Sequence, residues 1–254
     1  MNKRELKEYL LSVEKDAVIH GWDFSHIEGK YRSYDELLGW DYYDMVKEYL
    51  KDEHILLDMD TGGGEFLLKL SHPYENTSVT EGYSPNAELC RERLSPLGIS
   101  VHECGAQNLP FDDNTFDIII NRHGSFSPSE IYRVLKSGGL FITQQVGEDN
   151  ERELVKLLLG DTPKPFSGMN LKEQKNAFEG AGFEIVKSKE SYAPIEFYDI
   201  SALVWFAKII EWEFVGFSVE KCFERLCEAK RIIDTKGKVS GNIHRYMLVC
   251  RKKQ

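Results

Sequence analysis

Two carboxylates and a glycine-rich turn follow one short apolar run, residues 55–57. Asp58 and Asp60 come first, and three consecutive glycines occupy positions 62–64. Glycine has no Cβ, so the backbone N–H groups of such a turn can approach a ligand closely. A further acid, Glu81, ends a second strand-like segment, where it could accept hydrogen bonds from both hydroxyls of a ribose. The spacing indicates a site for a nucleotide-like ligand, and a stray surface glutamate is the alternative for Glu81.

His123 is the residue best suited to act as a general base. It follows a predicted apolar strand over residues 116–121. Imidazole titrates near neutral pH, so this side chain could take a proton from a substrate. The alternative is a structural histidine that packs under a ligand or forms hydrogen bonds within the protein.

His244 and Arg245 open the last predicted strand, 243–251. A guanidinium group at this place could bind an anionic substrate. An ion pair between Arg245 and Glu211 or Glu213 is the competing interpretation.

Strands and helices must alternate to place these residues at one edge of a sheet. Short apolar runs separated by helical patterns indicate βαβ units and a mainly parallel sheet. Ligands bind beyond the carboxyl ends of the strands in such sheets. The predicted strands are 54–58, 77–81, 99–104, 116–121 and 139–145, and the helices between them are 64–71, 85–96 and 128–136. Ser127 is predicted to cap the last of these helices, with Glu130 completing a capping box.

The sequence on either side of this region predicts further helices. Residues 5–18 have apolar residues at helical spacing, and a capping-box pattern at Ser33–Glu36 predicts a second helix over 35–50. Helix 170–181 and strand 183–191 follow the central region. The segment 192–217 is dense in aromatic residues, and Ser218 is predicted to cap a helix that ends near Asp234.

Composition and charge exclude several classes of protein. The chain has 254 residues and a net charge of −10, which argues against general binding to nucleic acid or to a membrane surface. Five cysteines without a CxxC pair predict neither a disulfide framework nor a metal site. No apolar run approaches the roughly 18 residues of a membrane span, and the charged N-terminal segment does not resemble a signal peptide. We therefore expect a cytoplasmic protein.

Three segments together resemble the class I S-adenosylmethionine (SAM) dependent methyltransferases. The frame Asp58-x-Asp60-x-Gly62-x-Gly64 is similar to their motif D-x-G-x-G-x-G, with Asp60 in place of the first glycine. The segment 105–111 resembles their D-A-x-x-L-P-F, with Gly105 in place of the aspartate. The segment 131–140 resembles their R-x-L-K-P-G-G. A dinucleotide site is the alternative, but the third glycine of G-x-G-x-x-G is missing at its expected offset.

The resemblance implies a Rossmann-like α/β fold, a seven-stranded and mostly parallel sheet of order 3-2-1-4-5-7-6 with strand seven antiparallel. The chain would be one methyltransferase domain. It would comprise an N-terminal helical lid (1–50), a cofactor-binding core (51–191), an insertion or cap (192–235) and a final strand (236–254).

The resemblance also implies roles for individual residues. Asp60 could bind the ammonium group of SAM or simply occupy the turn, and Gly105 removes a side-chain bond to the adenine. The residues expected to bind the cofactor are Asp58, Asp60, Gly62, Gly64, Glu81, Gly82, Ala106, Gln107 and Asn121. The residues expected to contact the substrate are Trp22, Arg122, Trp205, Trp212, His244 and Arg245. For the three tryptophans, packing in the core is the competing interpretation.

The expected function is SAM-dependent transfer of a methyl group to a small molecule, with S-adenosylhomocysteine as product and no metal. An RNA or protein methyltransferase is an alternative, which a basic stripe of Arg122, Lys208, Arg225, Lys230 and Arg231 would favour. The N/D-P-P-Y/F motif of amino-methylating nucleic-acid enzymes is absent from the segment after residue 120. A protein that binds SAM or S-adenosylhomocysteine without catalysis is a further alternative. The chain is expected to be a monomer or a homodimer.

Overall fold

A computed structural model describes residues 2–19 and 23–253 of the chain. It divides into two compact units. The first comprises Met1–Leu38, Gly147–Ser167 and Ser191–His244, and the second comprises Gly39–Val146, Gly168–Glu190 and Arg245–Gln254. Trp22, one of the predicted substrate residues, lies outside the described residues.

The strands and helices alternate through the centre of the chain, as the sequence predicts. The strands are β1 (Tyr31–Ser33), β2 (Leu56–Met59), β3 (Thr77–Glu81), β4 (Ser100–Glu103), β5 (Phe116–Arg122), β6 (Leu135–Val146), β7 (Phe183–Phe197) and β8 (Val239–Lys252). The helices are α1 (Lys3–Lys15), α2 (Tyr42–Tyr49), α3 (Glu65–Leu70), α4 (Ser84–Leu94), α5 (Pro128–Val134), α6 (Arg152–Leu159), α7 (Leu171–Gly180), α8 (Ile200–Ile209) and α9 (Val219–Lys236).

The strand order is β1-β7-β8-β6-β5-β2-β3-β4. Strands β4, β3, β2, β5 and β6 are parallel neighbours in the second unit, and β8 pairs with β6 antiparallel. The order implied by the methyltransferase resemblance, including its antiparallel strand, is therefore confirmed. The difference is an eighth strand, β1, which pairs antiparallel with Ile195–Phe197 in the first unit.

Two apolar clusters cover the faces of the sheet in the second unit. One contains Leu56, Ile118 and Ile120, and the other contains Leu57, Ile119 and Phe141. Every residue of β2 is buried, as expected for a central parallel strand with helices on both faces. This packing fixes the carboxyl ends of the strands, from which the candidate site residues extend.

Two helix predictions were wrong in their details. Residues 35–50 do not form one helix, because Gly39 adopts φ +80 and Asp41 begins α2 separately by accepting a hydrogen bond from the Asp44 N–H. The Ser127 side chain does not cap α5. Its hydroxyl instead lies 3.0 Å from that of Ser129.

The first unit is helical around the aromatic segment. Strand β7 extends to Phe197, past the predicted end at residue 191, and Asp199 then caps α8. Residues 200–207 of α8 are all buried, because α1 and α9 pack against this apolar helix. Ser218 caps α9 as predicted. Within the described ranges, none of the helices combines the length and apolarity that crossing a bilayer requires.

Candidate functional site

The glycine turn connects β2 to α3 in the second unit. Gly62 and Gly64 have φ of +66 and +79, and Gly64 is the N-cap residue that directly precedes α3. A Cβ at position 64 would lie 2.9 Å from the side chain of Leu94, so this position has neither the conformation nor the space for a side chain. The chain therefore turns tightly directly beyond the buried strand.

Glu81 holds this turn in place from the end of the neighbouring strand. One carboxylate oxygen accepts a hydrogen bond from the Gly62 N–H and the other accepts one from the Tyr83 N–H, both at 2.9 Å. Strands β2 and β3 are parallel, which brings their carboxyl ends to the same edge. The carboxylate is buried, and this burial raises its pKa. The structure therefore places this carboxylate beside the glycine turn, and its predicted binding of a ribose stays a prediction.

Asp58 is the most perturbed acid of the site. It is 5% exposed, and burial raises its pKa to about 7. The Thr61 hydroxyl donates a hydrogen bond of 2.6 Å to this carboxylate, which acts in the opposite direction and lowers the pKa. The Arg122 guanidinium also lowers this pKa, whereas Asp60 and Glu81 raise it further. A buried carboxyl group with a pKa near neutrality is typical of functional sites.

Asp60 links the glycine turn to the loop that follows β5. Its carboxylate accepts hydrogen bonds from the Ser125 N–H at 2.9 Å and from the Ser125 hydroxyl at 3.1 Å. Asp60 has φ +52, a left-handed conformation that aspartate tolerates better than most residues. Gly124 must lack a side chain here, because its Cβ would lie 2.5 Å from the Asp60 Cβ. The aspartate therefore occupies the turn without breaking it.

Replacing Asp60 should separate the contribution of this link from that of the strained backbone. Asp60→Ala loses both hydrogen bonds and keeps the left-handed strain, so we expect it to lower the free energy of unfolding by about 1–3 kcal/mol. Asp60→Gly loses the same bonds but relieves the strain, so its loss should be smaller by roughly 1 kcal/mol. Urea unfolding of both variants measures the difference. Equal losses would contradict the assignment of strain to this residue.

The loop after β4 is held by α5. The Glu130 carboxylate accepts a hydrogen bond from the Leu109 N–H at 2.9 Å, and Arg133 donates to the carbonyl groups of Leu109 and Phe111. Glu130 also pairs with Arg133. Glu130 therefore stabilises the loop after β4 and does not complete the predicted capping box of α5.

The predicted cofactor residues of the same loop differ in exposure. Ala106 is buried in the core and Gln107 is exposed. A Cβ at Gly105 would meet no heavy atom within 4 Å, and at Gly82 it would lie 3.5 Å from the Cys104 carbonyl oxygen. The loop therefore offers open space and backbone groups at position 105, where the resembling motif has an aspartate.

Asn121 joins three strand ends. Its amide nitrogen donates to the Met59 carbonyl at 3.0 Å, and its amide oxygen accepts from Gln145 at 2.5 Å. The residue is fully buried. These hydrogen bonds show that the side chain connects β2, β5 and β6 at the edge of the sheet. Its predicted contact with the cofactor stays a prediction.

His123 lies directly beyond β5 and has φ +59, an uncommon conformation for a residue with a side chain. Its backbone N–H donates to the Gln144 carbonyl at 2.9 Å. The Trp40 indole N–H donates to the Gln144 amide oxygen at 2.7 Å, and the Gln144 amide nitrogen lies 3.1 Å from His123 Nε2. No local pattern in the sequence indicated this chain of contacts.

Positive charge surrounds His123. Desolvation by the surrounding protein and then the guanidinium groups of Arg245 and Arg122 lower the pKa of His123 well below 6.5. The residue nevertheless keeps exposed surface, which a ligand can reach. The Arg122 guanidinium lies over the Phe66 ring, 5.0 Å from its centroid. The predicted base is therefore a neutral imidazole at pH 7.

The other predicted substrate residues belong to the first unit. Trp205 is 1% exposed and packs against Phe24 and His26, which favours its interpretation as a core residue. Trp212 is partly exposed. His244 is buried, stacks on Tyr192 at 4.3 Å and accepts a hydrogen bond from the Asp149 N–H. The substrate roles of these residues stay predictions.

A surface cleft of about 500 Å³ lies elsewhere in the second unit. Residues of α7 and of Phe183–Ser188 in β7 line it, together with Lys253. None of the predicted site residues lines this cleft, and its mixture of lysines, glutamates and apolar groups suggests no chemistry. We therefore place the candidate site at the glycine turn.

Comparisons with known proteins match the part of the chain that contains the glycine turn. Residues 57–143 match a family model described as a methyltransferase domain. The phthiotriol/phenolphthiotriol dimycocerosates methyltransferase of Mycobacterium tuberculosis is 30% identical over 109 residues, 40% of each chain. The ubiquinone/menaquinone biosynthesis C-methyltransferase of Desulfotalea psychrophila is 36% identical over 93 residues, 33% of this chain and 38% of that protein. This chain thus spans less than half of either relative.

A solved structure is similar over a greater length. The SAM-dependent methyltransferase of Methanosarcina mazei superposes with a TM-score of 0.53 at 18% identity. The match covers 84% of this chain and 99% of that one. At this identity the likeness concerns the fold.

Proposed function

We propose that the protein transfers a methyl group from SAM to a small-molecule acceptor, because residues 57–143 match a family model described as a methyltransferase domain and the strands have the order that the class I resemblance implied. The observation that carries the proposal is the hydrogen bond from the Gly62 N–H of the glycine turn to the Glu81 carboxylate. A buried carboxylate bonded to the Gly62 N–H fixes the turn and retains lone pairs for a ribose diol.

The charges of the site suit this cofactor. SAM carries a sulfonium and an ammonium group, and when bound it supplies an electrophilic methyl group. Asp58, Asp60 and Glu81 place three carboxyl groups around the glycine turn. Glu81 would bind the ribose, Asp58 and Asp60 would favour the cationic part of SAM, and the open space at Gly105 would accommodate the adenine. The protein would contribute mainly alignment of the two reactants.

A small acceptor is favoured over RNA because the predicted basic stripe is largely neutralised. Lys230 pairs with Asp234, Arg231 with Glu228, and Lys208 lies 3.8 Å from Glu211. Paired surface charges attract a polyanion weakly. The names of the two curated relatives, both enzymes with small-molecule acceptors, support the same choice. We also expect the protein to act in the cytoplasm, as a monomer or a homodimer.

A non-catalytic binding protein is the second candidate function. The observations that favour it are Asp60, whose carboxylate is bonded to Ser125, and Gly105, which lacks the aspartate of the resembling motif. Both positions belong to the proposed cofactor site. A protein of this kind would bind SAM and S-adenosylhomocysteine without transferring the methyl group.

Calorimetric titration with SAM and S-adenosylhomocysteine, followed by transfer assays with methyl-labelled SAM and a panel of acceptors, tests the proposal. We expect one saturable site for each ligand and labelled product from at least one acceptor. Binding without transfer to any acceptor would favour the non-catalytic alternative. No binding at millimolar ligand would overturn the proposed function and leave the fold alone.

A further inference from the structure

The Gln144 side chain has only one possible orientation. An indole N–H is a donor and cannot accept, so the Trp40 nitrogen, 2.7 Å away, must face the amide oxygen. The amide nitrogen must then face His123. Gln144 is buried between its two partners, which leaves the amide little freedom to turn over.

This orientation determines where the proton of His123 lies. The Gln144 amide nitrogen carries only donor hydrogens, so His123 Nε2 must be the acceptor of the 3.1 Å hydrogen bond. A neutral imidazole that accepts at Nε2 carries its proton on Nδ1. Among the described residues, Nδ1 has no hydrogen-bond partner. The one lone pair of the ring, on Nε2, is therefore engaged in a hydrogen bond, and the Nδ1–H is available to a ligand.

A histidine in this state cannot be the base that the sequence predicted, but it is a suitable donor. Arg122 directly precedes His123 in the chain, and Arg245 lies opposite Val146, two residues beyond Gln144 on β6. Both guanidinium groups add positive charge near the imidazole and lower its pKa. The backbone of His123 is held by the Gln144 carbonyl in a left-handed conformation, so the ring has a fixed direction. The two arginines thus create a local region of positive charge in a chain whose net charge is −10.

We propose that the Nδ1–H of His123, together with Arg122 and Arg245, binds an anionic oxygen of the methyl acceptor, such as a carboxylate or a phenolate. Trp40 and Gln144 are the positioning residues that fix the tautomer. The inference rests on the proposed function, since it names the class of acceptor. An acceptor that arrives as an anion becomes neutral on methylation, so no proton has to be removed and no protein base is required.

The tautomer can be measured without any activity. In protein labelled with ¹⁵N-histidine, NMR distinguishes protonated from unprotonated ring nitrogens, and a His123→Phe variant assigns the signals. We expect the proton on Nδ1 at pH 7. In Gln144→Glu the carboxylate cannot donate, so the proton should move to Nε2 and the titration of His123 should shift to higher pH. Asn176→Asp adds the same charge at an exposed position of α7, outside the candidate site, and should change neither the tautomer nor the titration.

The signals of the other histidines in the same spectra show whether Gln144→Glu still folds. A proton on Nε2 in the unmodified protein would overturn the proposal. So would a tautomer that does not change in a folded Gln144→Glu variant. These results stand whether or not the protein proves to be a methyltransferase.

The acceptor class is tested with benzoate and its neutral counterpart benzamide, in protein saturated with S-adenosylhomocysteine. Benzoate should shift the His123 Nδ1–H signal, benzamide should bind at least 10-fold more weakly, and Arg245→Gln should weaken benzoate binding at least 10-fold. Equal binding of the two probes, or no response to benzoate, would overturn the anionic site. A failure of S-adenosylhomocysteine to bind would instead count against the proposed function.

Discussion

Asp58→Asn is expected to stabilise the protein above pH 7 and to leave its stability near pH 4 almost unchanged. The folded-state pKa of Asp58 is raised from 3.8 to about 7, mainly by burial. Between these values the folded protein binds more protons than the unfolded chain, so stability falls as pH rises through this window. Three pH units correspond to roughly 4 kcal/mol, so we expect Asp58→Asn to gain about 2–4 kcal/mol above pH 7.

Urea unfolding at pH 4 and pH 8.5 measures this effect. The introduced asparagine does not titrate, and its amide oxygen can still accept from Thr61, so its advantage should be present only at the higher pH. Asp117→Asn is the matched control on the neighbouring strand. Lys136 and the Ile55 N–H bind that carboxylate and hold its pKa below 3.8, so this variant should be less stable at pH 8.5. A loss of stability for Asp58→Asn at pH 8.5 would contradict the prediction.

Glu81→Gln is expected to weaken SAM binding by about 100-fold. A glutamine side chain has one acceptor oxygen where the carboxylate has two, and it carries no charge. It therefore cannot accept hydrogen bonds from the Gly62 N–H, the Tyr83 N–H and both hydroxyls of a ribose at the same time. Hydrogen bonds to a charged group contribute about 1.5–3 kcal/mol each, and a loss of roughly 3 kcal/mol corresponds to a factor of about 100 in Kd. Calorimetry with SAM and with adenosine measures the loss.

Adenosine retains the ribose but lacks the methionine part, so its affinity should fall by a similar factor. Glu103→Gln is the control, because Glu103 occupies the register position opposite Glu81 on β4. Its carboxylate binds Arg91 and Ser84, away from the glycine turn. This variant should bind SAM like the unmodified protein. An affinity of Glu81→Gln within about threefold of the unmodified protein would refute the ribose role.

Local patterns predicted the parts of the fold that depend on neighbouring residues. The glycine turn, the strand ending at Glu81 and the capping of α9 by Ser218 all appeared where the sequence placed them. The strand order came from the family resemblance, because no periodicity specifies which strands become neighbours. The helix over 35–50 failed because a capping-box pattern and apolar spacing did not reveal the left-handed Gly39.

The chemistry of the candidate site depended on residues that are distant in sequence. Trp40 and Gln144 are 104 positions apart, yet their contact decides which nitrogen of His123 carries the proton. Sequence reasoning identified His123 and gave it the role of a base, since an isolated imidazole shows neither its tautomer nor its neighbours. Glu130 was likewise assigned to its own helix, although it bonds to Leu109, 21 positions away. Such contacts form only when the sheet is assembled.

The link between Asp60 and Ser125 has a consequence for the history of this sequence. An aspartate at position 60 requires a residue without a side chain at 124 and gains most from a serine at 125. Substitutions at the three positions should therefore have been accepted together among descendants of a common ancestor. Homologues with glycine at position 60 should tolerate larger residues at 124 and show no preference for a hydroxyl at 125.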